Sequence, residues 1–314
     1  MRSLPQSIIR LISSLAVLVI LAVCLPAAAL AAKEKQKTFA SPEEAVQSLL
    51  AAARSNSDQE LAAIFGPGSQ KFVSSGDPVA DKAGRARFVT LYEEKNRLEQ
   101  KGEGTMVLLL GNEDFPYPIP LVKKGERWVF DTKAGKDELL SRRIGRNELS
   151  VIESVRAYAD AQREYYARDR DGDGTREFAE KFKSTPGKQD GLFWEVREGE
   201  EQSPLGPLVA GADREGYALG KASKPAPFHG YYFKILKAQG PHAEGGAFDY
   251  VVKGKMVLGF ALVAYPAQYG SSGIMTFIVN QNGVVYQKDL GKNTAKIAAK
   301  MKRFDPDKSW NKVE

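Results

Sequence analysis

A long amphipathic segment followed by an acidic loop constrains this chain more than any other feature. From Asn147 onward, apolar residues recur every three or four positions, which predicts a helix with one buried face. Asn147 is a suitable N-cap, and Glu148 follows it in the first turn. About twenty residues at roughly 1.5 Å each make a rod of roughly 30 Å, enough to cross a small domain. The predicted buried face consists of Leu149, Val151, Ile152, Val155, Tyr158, Ala159, Tyr165 and Tyr166.

The loop after this helix carries the one sharp chemical motif, an alternation of aspartate and glycine over residues 169–174. In a twelve-residue calcium loop, oxygen ligands come from positions 1, 3, 5, 7, 9 and 12, with glycine at position 6 for the sharp bend. Counted from the first aspartate, the predicted ligands are Asp169, Asp171, Asp173, the Thr175 carbonyl, Glu177 and Glu180. The sequence therefore predicts a Ca²⁺ site, which is a binding feature and not a reaction.

An alternative interpretation of the loop is a solvated acidic turn, neutralised by Arg168, Arg170 and Arg176. Position 8 of the motif is Arg176, where an aliphatic residue normally pairs one calcium loop with a second. A single unpaired loop should bind Ca²⁺ weakly. We expect a short helix to start near Arg176, so that a bound ion fixes its angle to the long helix.

Residues 1–32 have the three sections of a secretory signal peptide: a basic section, an apolar run and a series of small residues. We expect cleavage after Ala31 or Ala32, which predicts a periplasmic or secreted protein. A lipoprotein signal that ends at Cys24 is disfavoured, because Val23 is too large for the small residue that usually precedes a lipidated cysteine.

Removal of this segment affects stability and the choice of partners. Cys24 is the only cysteine, so the mature chain has no disulfide and must rely on a hydrophobic core. Loss of Arg2 and Arg10 lowers the formal charge from +6 to +4, which does not indicate a nucleic-acid partner. No later apolar run is long enough to span a bilayer. We expect an envelope protein or polymer as the partner.

We expect residues 33–38 to form a charged tether. The pattern of residues 39–145 predicts helices followed by an antiparallel meander. Ser41, Pro42 and Glu44 are a strong helix start. Further helices are predicted at 58–65 and 81–100, and strands at 104–110, 119–123 and 127–131. Such a curved sheet around a helix is similar in pattern to nuclear-transport-factor-like or cystatin-like cones, which often enclose a pocket. The fold alone does not define a function.

The pattern of residues 146–292 predicts a second α+β unit. We expect residues 293–314 to form a basic tail. The unit contains the long helix, the acidic loop, an excursion over 184–227 with a short helix at 205–216, and an antiparallel sheet. Strands are predicted at 230–238, 255–265, 274–280 and 284–288, with a hairpin turn at Asn282-Gly283. The apolar run 256–264 predicts a central strand. This order resembles the head of type IV pilins and pseudopilins, although no hydrophobic half-helix precedes Asn147.

Eight short segments spread along the mature chain carry a family resemblance. They are FASPEEA (39–45), SSGDPV (74–79), FPYPIP (115–120), RRIGRNEL (142–149), DGDG (171–174), SPLGPL (203–208), HGYYF (229–233) and FIVNQNGVVY (277–286). With these segments the chain resembles a bacterial family known as domain of unknown function 2950. The resemblance implies an exported protein of unassigned activity, and it brings no catalytic residues.

Signals for catalysis are sparse in the sequence. The chain has two histidines, and it contains no HExxH, GxSxG or P-loop motif. We interpret His229 as a hydrogen-bonded structural residue. Arg142, Arg143 and Arg146 could grip an anionic polymer, but we favour the solvated end of a helix at 136–143. The sequence favours a non-catalytic envelope protein, with a hydrolase that cleaves envelope polymer through a carboxylate pair as the alternative.

Overall fold

The computed structural model of the protein describes residues 35–197, 199–219 and 225–313. The predicted signal peptide lies outside these residues. From Gln36 onward the chain forms one compact unit. The Gln36 side chain donates to the carbonyls of Ile64 and Phe130, so the end of the predicted tether is packed against the fold. None of the described helices combines the length and the apolar character needed to cross a membrane.

Four helices open the described chain: α1 (Pro42–Arg54), α2 (Asp58–Phe65), α3 (Gln70–Val73) and α4 (Pro78–Glu94). Helix α1 starts as predicted, because the Ser41 hydroxyl accepts from the Glu44 N–H at 3.1 Å while the Glu44 carboxylate accepts from the Ala40 N–H at 2.7 Å. These reciprocal bonds form a capping box. The prediction of a helix at 81–100 was wrong at both ends. Asp77 caps α4, which begins three residues before the predicted start at 81, and residues 96–100 form a strand.

The first sheet is an antiparallel meander, as predicted. Its strands run in the spatial order β1-β2-β4-β5, and β3 pairs with β2 at one end. The short pairing of β3, limited to Phe115 and Pro116, fits a proline-rich edge. Helices α1 and α2 pack on strand β5 of this sheet, and α3 packs on α2, around a buried core that includes Phe39, Ile64 and Phe130. The strands are β1 (Asn96–Gln100), β2 (Thr105–Leu110), β3 (Phe115–Pro116), β4 (Leu121–Lys124) and β5 (Arg127–Phe130).

The long helix is longer than predicted, because α5 runs without a break from Thr132 to Tyr166. The predicted start at Asn147 was wrong, and so was the separate helix at 136–143. Asp131 is the N-cap, and Asn147 is a buried residue in the middle of the helix. The Asn147 amide donates to the Ser272 carbonyl at 2.8 Å, and this tertiary hydrogen bond outweighs the weak helix propensity of asparagine.

The buried face of α5 follows the predicted period but is rotated away from Leu149, which is 66% exposed. Val151, Val155, Tyr158 and Tyr165 are buried at spacings of three, four and seven residues. The interpretation of Tyr158 and Tyr165 as core residues is confirmed, since they are 2% and 3% exposed.

The second half of the fold contains α6 (Gly206–Glu215) and a second antiparallel sheet, on which α5 packs. The strand order in this sheet is β14-β13-β12-β11-β6. Two small ribbons pair β7 with β8 and β9 with β10. The strands are β6 (Tyr231–Leu236), β7 (Ala238–Gln239), β8 (Phe248–Asp249), β9 (Val251–Val252), β10 (Lys255–Met256), β11 (Ala261–Pro266), β12 (Met275–Asn280), β13 (Tyr286–Asp289) and β14 (Asn311–Lys312).

The prediction of one central strand over 256–264 was partly wrong. Strand β11 is central, but the chain bends before it, and Leu258 is 53% exposed. Gly259 has φ +156°, and a Cβ there would lie 2.9 Å from the Tyr250 ring. The basic tail continues the fold, because α7 (Thr294–Lys300) and β14 pack on the second sheet. The architecture is α+β, as predicted.

Candidate functional site

The acidic loop connects the end of α5 to an extended segment, and aromatic contacts hold its two ends. The Tyr166 and Phe178 rings stack with centroids 4.4 Å apart. The Arg170 guanidinium lies over the rings of Tyr165 and Trp194, at 4.9 and 5.0 Å from their centroids. These contacts fix where the loop leaves the helix and where it joins the core.

The short helix predicted to start near Arg176 is not formed. The Phe178 N–H donates to the Met256 carbonyl at 2.7 Å. The Gln162 side chain binds both backbone groups of Ala179: its amide donates to the carbonyl and its oxygen accepts from the N–H, each at 2.8 Å. Because these backbone groups already have partners in α5 and β10, the segment stays extended.

The three aspartates of the loop converge. Asp169, Asp171 and Asp173 each offer a carboxylate oxygen within 4.8 Å of the others. Asp169 closes the loop on itself, since its oxygens accept from the N–H groups of Gly172 at 2.9 Å and Gly174 at 2.7 Å. The Gly174 N–H holds the pKa of Asp169 below its usual value. Both glycines have positive φ, +75° and +86°, as the sharp bend requires.

A lysine from a distant hairpin lies among these carboxylates. The Lys255 ammonium is 2.8 Å from Asp171, 2.5 Å from Asp173 and 4.0 Å from Glu177. Hydrogen bonds to Asp171 and Asp173 raise the pKa of Lys255, and the same ammonium lowers the pKa of Asp173. Lys255 was not among the site residues predicted from the sequence.

The hairpin that presents Lys255 is a two-residue turn between β9 and β10. Lys253 and Gly254, its central residues, have φ of +49° and +85°, which is the geometry of a type I′ turn. The pattern Val251-Val252-Lys253-Gly254 is a sequence signal for this hairpin. Nothing local in the sequence indicates that the hairpin packs beside the acidic loop.

The remaining predicted ligands are divided between two places. Glu177 stays beside Lys255, and burial raises the pKa of Glu177. Glu180 points to Lys237 instead, with 2.5 Å between the ammonium and the carboxylate. The Thr175 N–H donates to Asp173. The structure thus gathers Asp171, Asp173 and Glu177 around one ammonium. Asp169 lies beside the other two aspartates, and Glu180 forms a separate ion pair.

Two of the three arginines proposed to neutralise the turn have other described partners. Arg168 pairs with Glu201, and Arg170 lies between aromatic rings. The donor set of the loop consists of carboxylate oxygens, which are the ligands that the hard cation Ca²⁺ prefers. The loop residues therefore fit Ca²⁺ by chemistry, and the ion would replace the Lys255 ammonium among the aspartates.

A second polar cluster lies where α4, α5 and the residues before β6 meet. Asp77 is 1% exposed, and one of its oxygens accepts from the N–H groups of Val79 and Ala80. Its other oxygen accepts from the Gly230 N–H at 2.8 Å and the Tyr217 hydroxyl at 2.9 Å. Burial, together with the Asp77 charge, raises the pKa of Tyr217. Asp77 therefore joins the start of α4 to the second half of the fold.

Glu148 makes an equivalent connection from α5. One of its oxygens accepts from the N–H groups of Ile274 and Met275 at 2.9 Å each, and from the Tyr231 hydroxyl at 3.3 Å. The segments 74–79, 142–149 and 229–233, which carry the family resemblance, thus meet in space. His229 fits its structural interpretation, because its ring packs on Phe228 and its backbone N–H donates to Tyr217.

The fold and these clusters define an α+β protein in which an acidic loop holds one ammonium of the chain and buried carboxylates accept structural hydrogen bonds. The family model described as "Protein of unknown function (DUF2950)" matches residues 36–313, and the chain belongs to this family. The predicted family is therefore confirmed. No curated protein and no solved structure matches the chain.

Proposed function

We propose that the chain is an exported, non-catalytic protein of the cell envelope whose loop from Asp169 to Glu180 binds a structural Ca²⁺ ion. The convergence of Asp169, Asp171 and Asp173 within 4.8 Å supports the ion site. The signal-like residues 1–32 support export to the periplasm or the outside. An envelope protein or polymer remains the proposed partner. The packing of α5 on the second sheet supports a pilin-head-like arrangement of that half.

The buried carboxylates support a non-catalytic role. Asp77 and Glu148 each accept several hydrogen bonds from backbone N–H groups and tyrosine hydroxyls, so their oxygens hold the fold together. The hydrolase alternative stays a prediction. It requires a single Asp or Glu substitution that abolishes cleavage of envelope polymer in a protein that still folds.

Calorimetric titration of the mature protein with CaCl₂ tests the ion site. For a lone loop we expect a dissociation constant on the order of 10⁻⁴ to 10⁻³ M. Free Ca²⁺ at ten times the dissociation constant should then add about 1.4 kcal/mol to the free energy of unfolding, and a chelator should reverse this gain. Absence of calcium heat at millimolar concentration, with melting unaffected by chelator, would contradict the proposal.

Two variants and one control connect the titration to particular residues of the loop. Asp171→Asn with Asp173→Asn removes two converging charges and should abolish the calcium heat. Glu180→Gln reports whether the ion draws Glu180 away from Lys237, in which case binding weakens. Asp190→Asn is the matched control, because Asp190 pairs with Lys181 outside the loop and should leave calcium binding unchanged.

Export has its own test. N-terminal sequencing of the protein recovered from the producing cells should begin at Ala32 or Lys33. Retention of Met1 or a lipid on Cys24 would contradict the proposed processing.

A further inference from the structure

A large cavity lies beneath α4, apart from the acidic loop. Its volume is about 510 Å³, within the roughly 300–1,000 Å³ of small-molecule sites. Apolar side chains from the first half of the fold form much of its wall, among them Leu49, Phe65, Phe72, Phe88, Tyr117 and Leu139. Such a lining normally fills with other apolar side chains in a packed core.

Helix α4 covers this space without filling it. None of its seventeen residues is buried in the described structure, although the helix lies over apolar side chains of α1. The residues that it presents to the cavity include the small Ala80, Ala83 and Gly84. A Cβ added to Gly84 would meet no atom within 4 Å. The sequence of α4 therefore keeps the volume open.

Four arginines also line the cavity, and two of them are satisfied. Arg85 donates to the Val73 carbonyl at 2.8 Å and pairs with Asp58. Arg143 donates to the Phe72 carbonyl and lies 3.9 Å from Asp81.

The guanidinium groups of the other two arginines, Arg87 and Arg146, lack such partners among the described residues. No hydrogen bond or ion pair joins either guanidinium to another residue within the ranges 35–197, 199–219 and 225–313. Burial and the neighbouring charges of Arg87, Arg143 and Arg142 lower the pKa of Arg146. The wall also contains two carboxylates, but Asp81 lies 3.9 Å from Arg143 and Glu215 lies 3.5 Å from the His229 ring. Neither of them pairs with Arg87 or Arg146.

We propose that this cavity binds a small amphipathic anion. The apolar body of the ligand lies against the side chains of the wall, and its carboxylate or phosphate head accepts hydrogen bonds from Arg87 and Arg146. A guanidinium suits both heads, because its paired N–H donors match two oxygens of either group. The site is independent of the calcium loop, so either can fail without the other.

The test is a set of calorimetric titrations on the mature protein with ligands that separate head from body. Dodecanoate and dodecyl phosphate carry both parts, dodecanol lacks the charge, and acetate and inorganic phosphate lack the body. We expect one or both charged amphiphiles to bind at least about tenfold more tightly than dodecanol, from charge-assisted hydrogen bonds. The relative affinity of the two amphiphiles then assigns the head group.

Variants connect this binding to the cavity. Arg87→Gln with Arg146→Gln should weaken the charged amphiphile by about tenfold and leave dodecanol unchanged. Arg142→Gln is the matched control, since Arg142 lies one turn from Arg146 and pairs with Glu138 outside the cavity. Gly84→Leu should weaken both ligands by filling the space, while the gain in helix propensity keeps the protein folded.

Three results would overturn the proposal. The first is equal binding of dodecanol and both charged amphiphiles, and the second is equal binding of acetate or phosphate and the amphiphiles. The third is equal loss of affinity in the Arg142→Gln control and in the double variant.

Discussion

The acidic loop and the cavity beneath α4 are two charged clusters among the described residues, and they handle charge in opposite ways. The loop gathers carboxylates, and the hairpin between β9 and β10 supplies a cation to them, Lys255, at 2.5 Å from Asp173. The cavity gathers arginines, and within the described residues it supplies no carboxylate to Arg87 or Arg146. An internal counterion makes the loop stable without a ligand, whereas the cavity gains most from an external anion.

The presence of a counterion from the chain determines how readily each cluster can bind a ligand. In the loop, Ca²⁺ would have to displace an ammonium that already has partners, so the proposed binding should be weak. In the cavity, an anion would relieve repulsion between arginines and so binds without competition. A cluster of like charges is therefore weak evidence for a ligand site when another residue of the chain already pairs with them. It is stronger evidence when no such residue does.

The largest expected effect concerns Asp77, a buried residue that binds Tyr217 of the cavity wall. Asp77→Ala removes the acceptor for four hydrogen bonds and leaves the buried Gly230 N–H without a partner. We expect the free energy of unfolding to fall by about 3 kcal/mol in urea denaturation. Asp137→Ala, an exposed position on α5, should change it by less than about 0.5 kcal/mol. Equal effects of the two substitutions would show that Asp77 does not join the two halves.

A smaller effect tests the contrast itself. Arg146→Gln in the ligand-free protein removes repulsion with Arg142 and Arg143, which lie four and three residues earlier on α5. The free energy of unfolding should rise by about 0.3 kcal/mol. Lys255→Gln in the calcium-free protein should lower the melting temperature, because Asp171 and Asp173 lose their cation. The contrast fails if both variants shift melting in the same direction.

The smallest effect is a single pKa in the loop. The Lys255 ammonium holds the pKa of Asp173 below 3.8. The ionised Asp173 carboxylate therefore contributes its full stabilisation above about pH 4. This contribution is lost as the pH falls through the pKa that Asp173 has in the folded protein. Carboxyl NMR titration should show this depressed pKa, and Lys255→Met should raise it towards 3.8.

Asp190 serves as the internal control for that titration. Burial raises its pKa, but hydrogen bonds from Lys181 and Thr185 outweigh burial and lower it to about 2. This value should be the same with and without Lys255→Met. A change at Asp190, or none at Asp173, would mean that Lys255 is not the cation of the loop.

Local chemistry explains the parts of the fold that could be predicted from the sequence. Ser41 and Glu44 cap α1 through bonds within four residues. The predicted hairpin turn is closed by the Gly283 N–H, which donates to the Asn280 carbonyl, and of the pair Asn282-Gly283 only Gly283 has a positive φ, +77°. The convergence of the loop aspartates likewise depends on glycines a few residues away. Each of these features is complete within a short stretch of chain, so its sequence pattern is sufficient.

Predictions failed where a distant contact outweighed the local preference. Asn147 looked like an N-cap, but its amide bonds to Ser272, 125 residues later. The extended segment after the loop follows from backbone bonds to Gln162 and Met256. The apolar run before Ala261 is broken at Gly259, where the backbone passes close to Tyr250.

The sequence by itself determined the helices and strands for the most part, the aspartate-rich loop and the presence of arginines near residue 146. Only the tertiary structure decided which charges meet. Lys255 reaches Asp171 across 84 residues of chain, and Arg87 reaches Arg146 because α4 lies over the same cavity as α5. Electrostatic energy depends on distance in space and on burial, and both are set by the packing of elements that no local pattern connects.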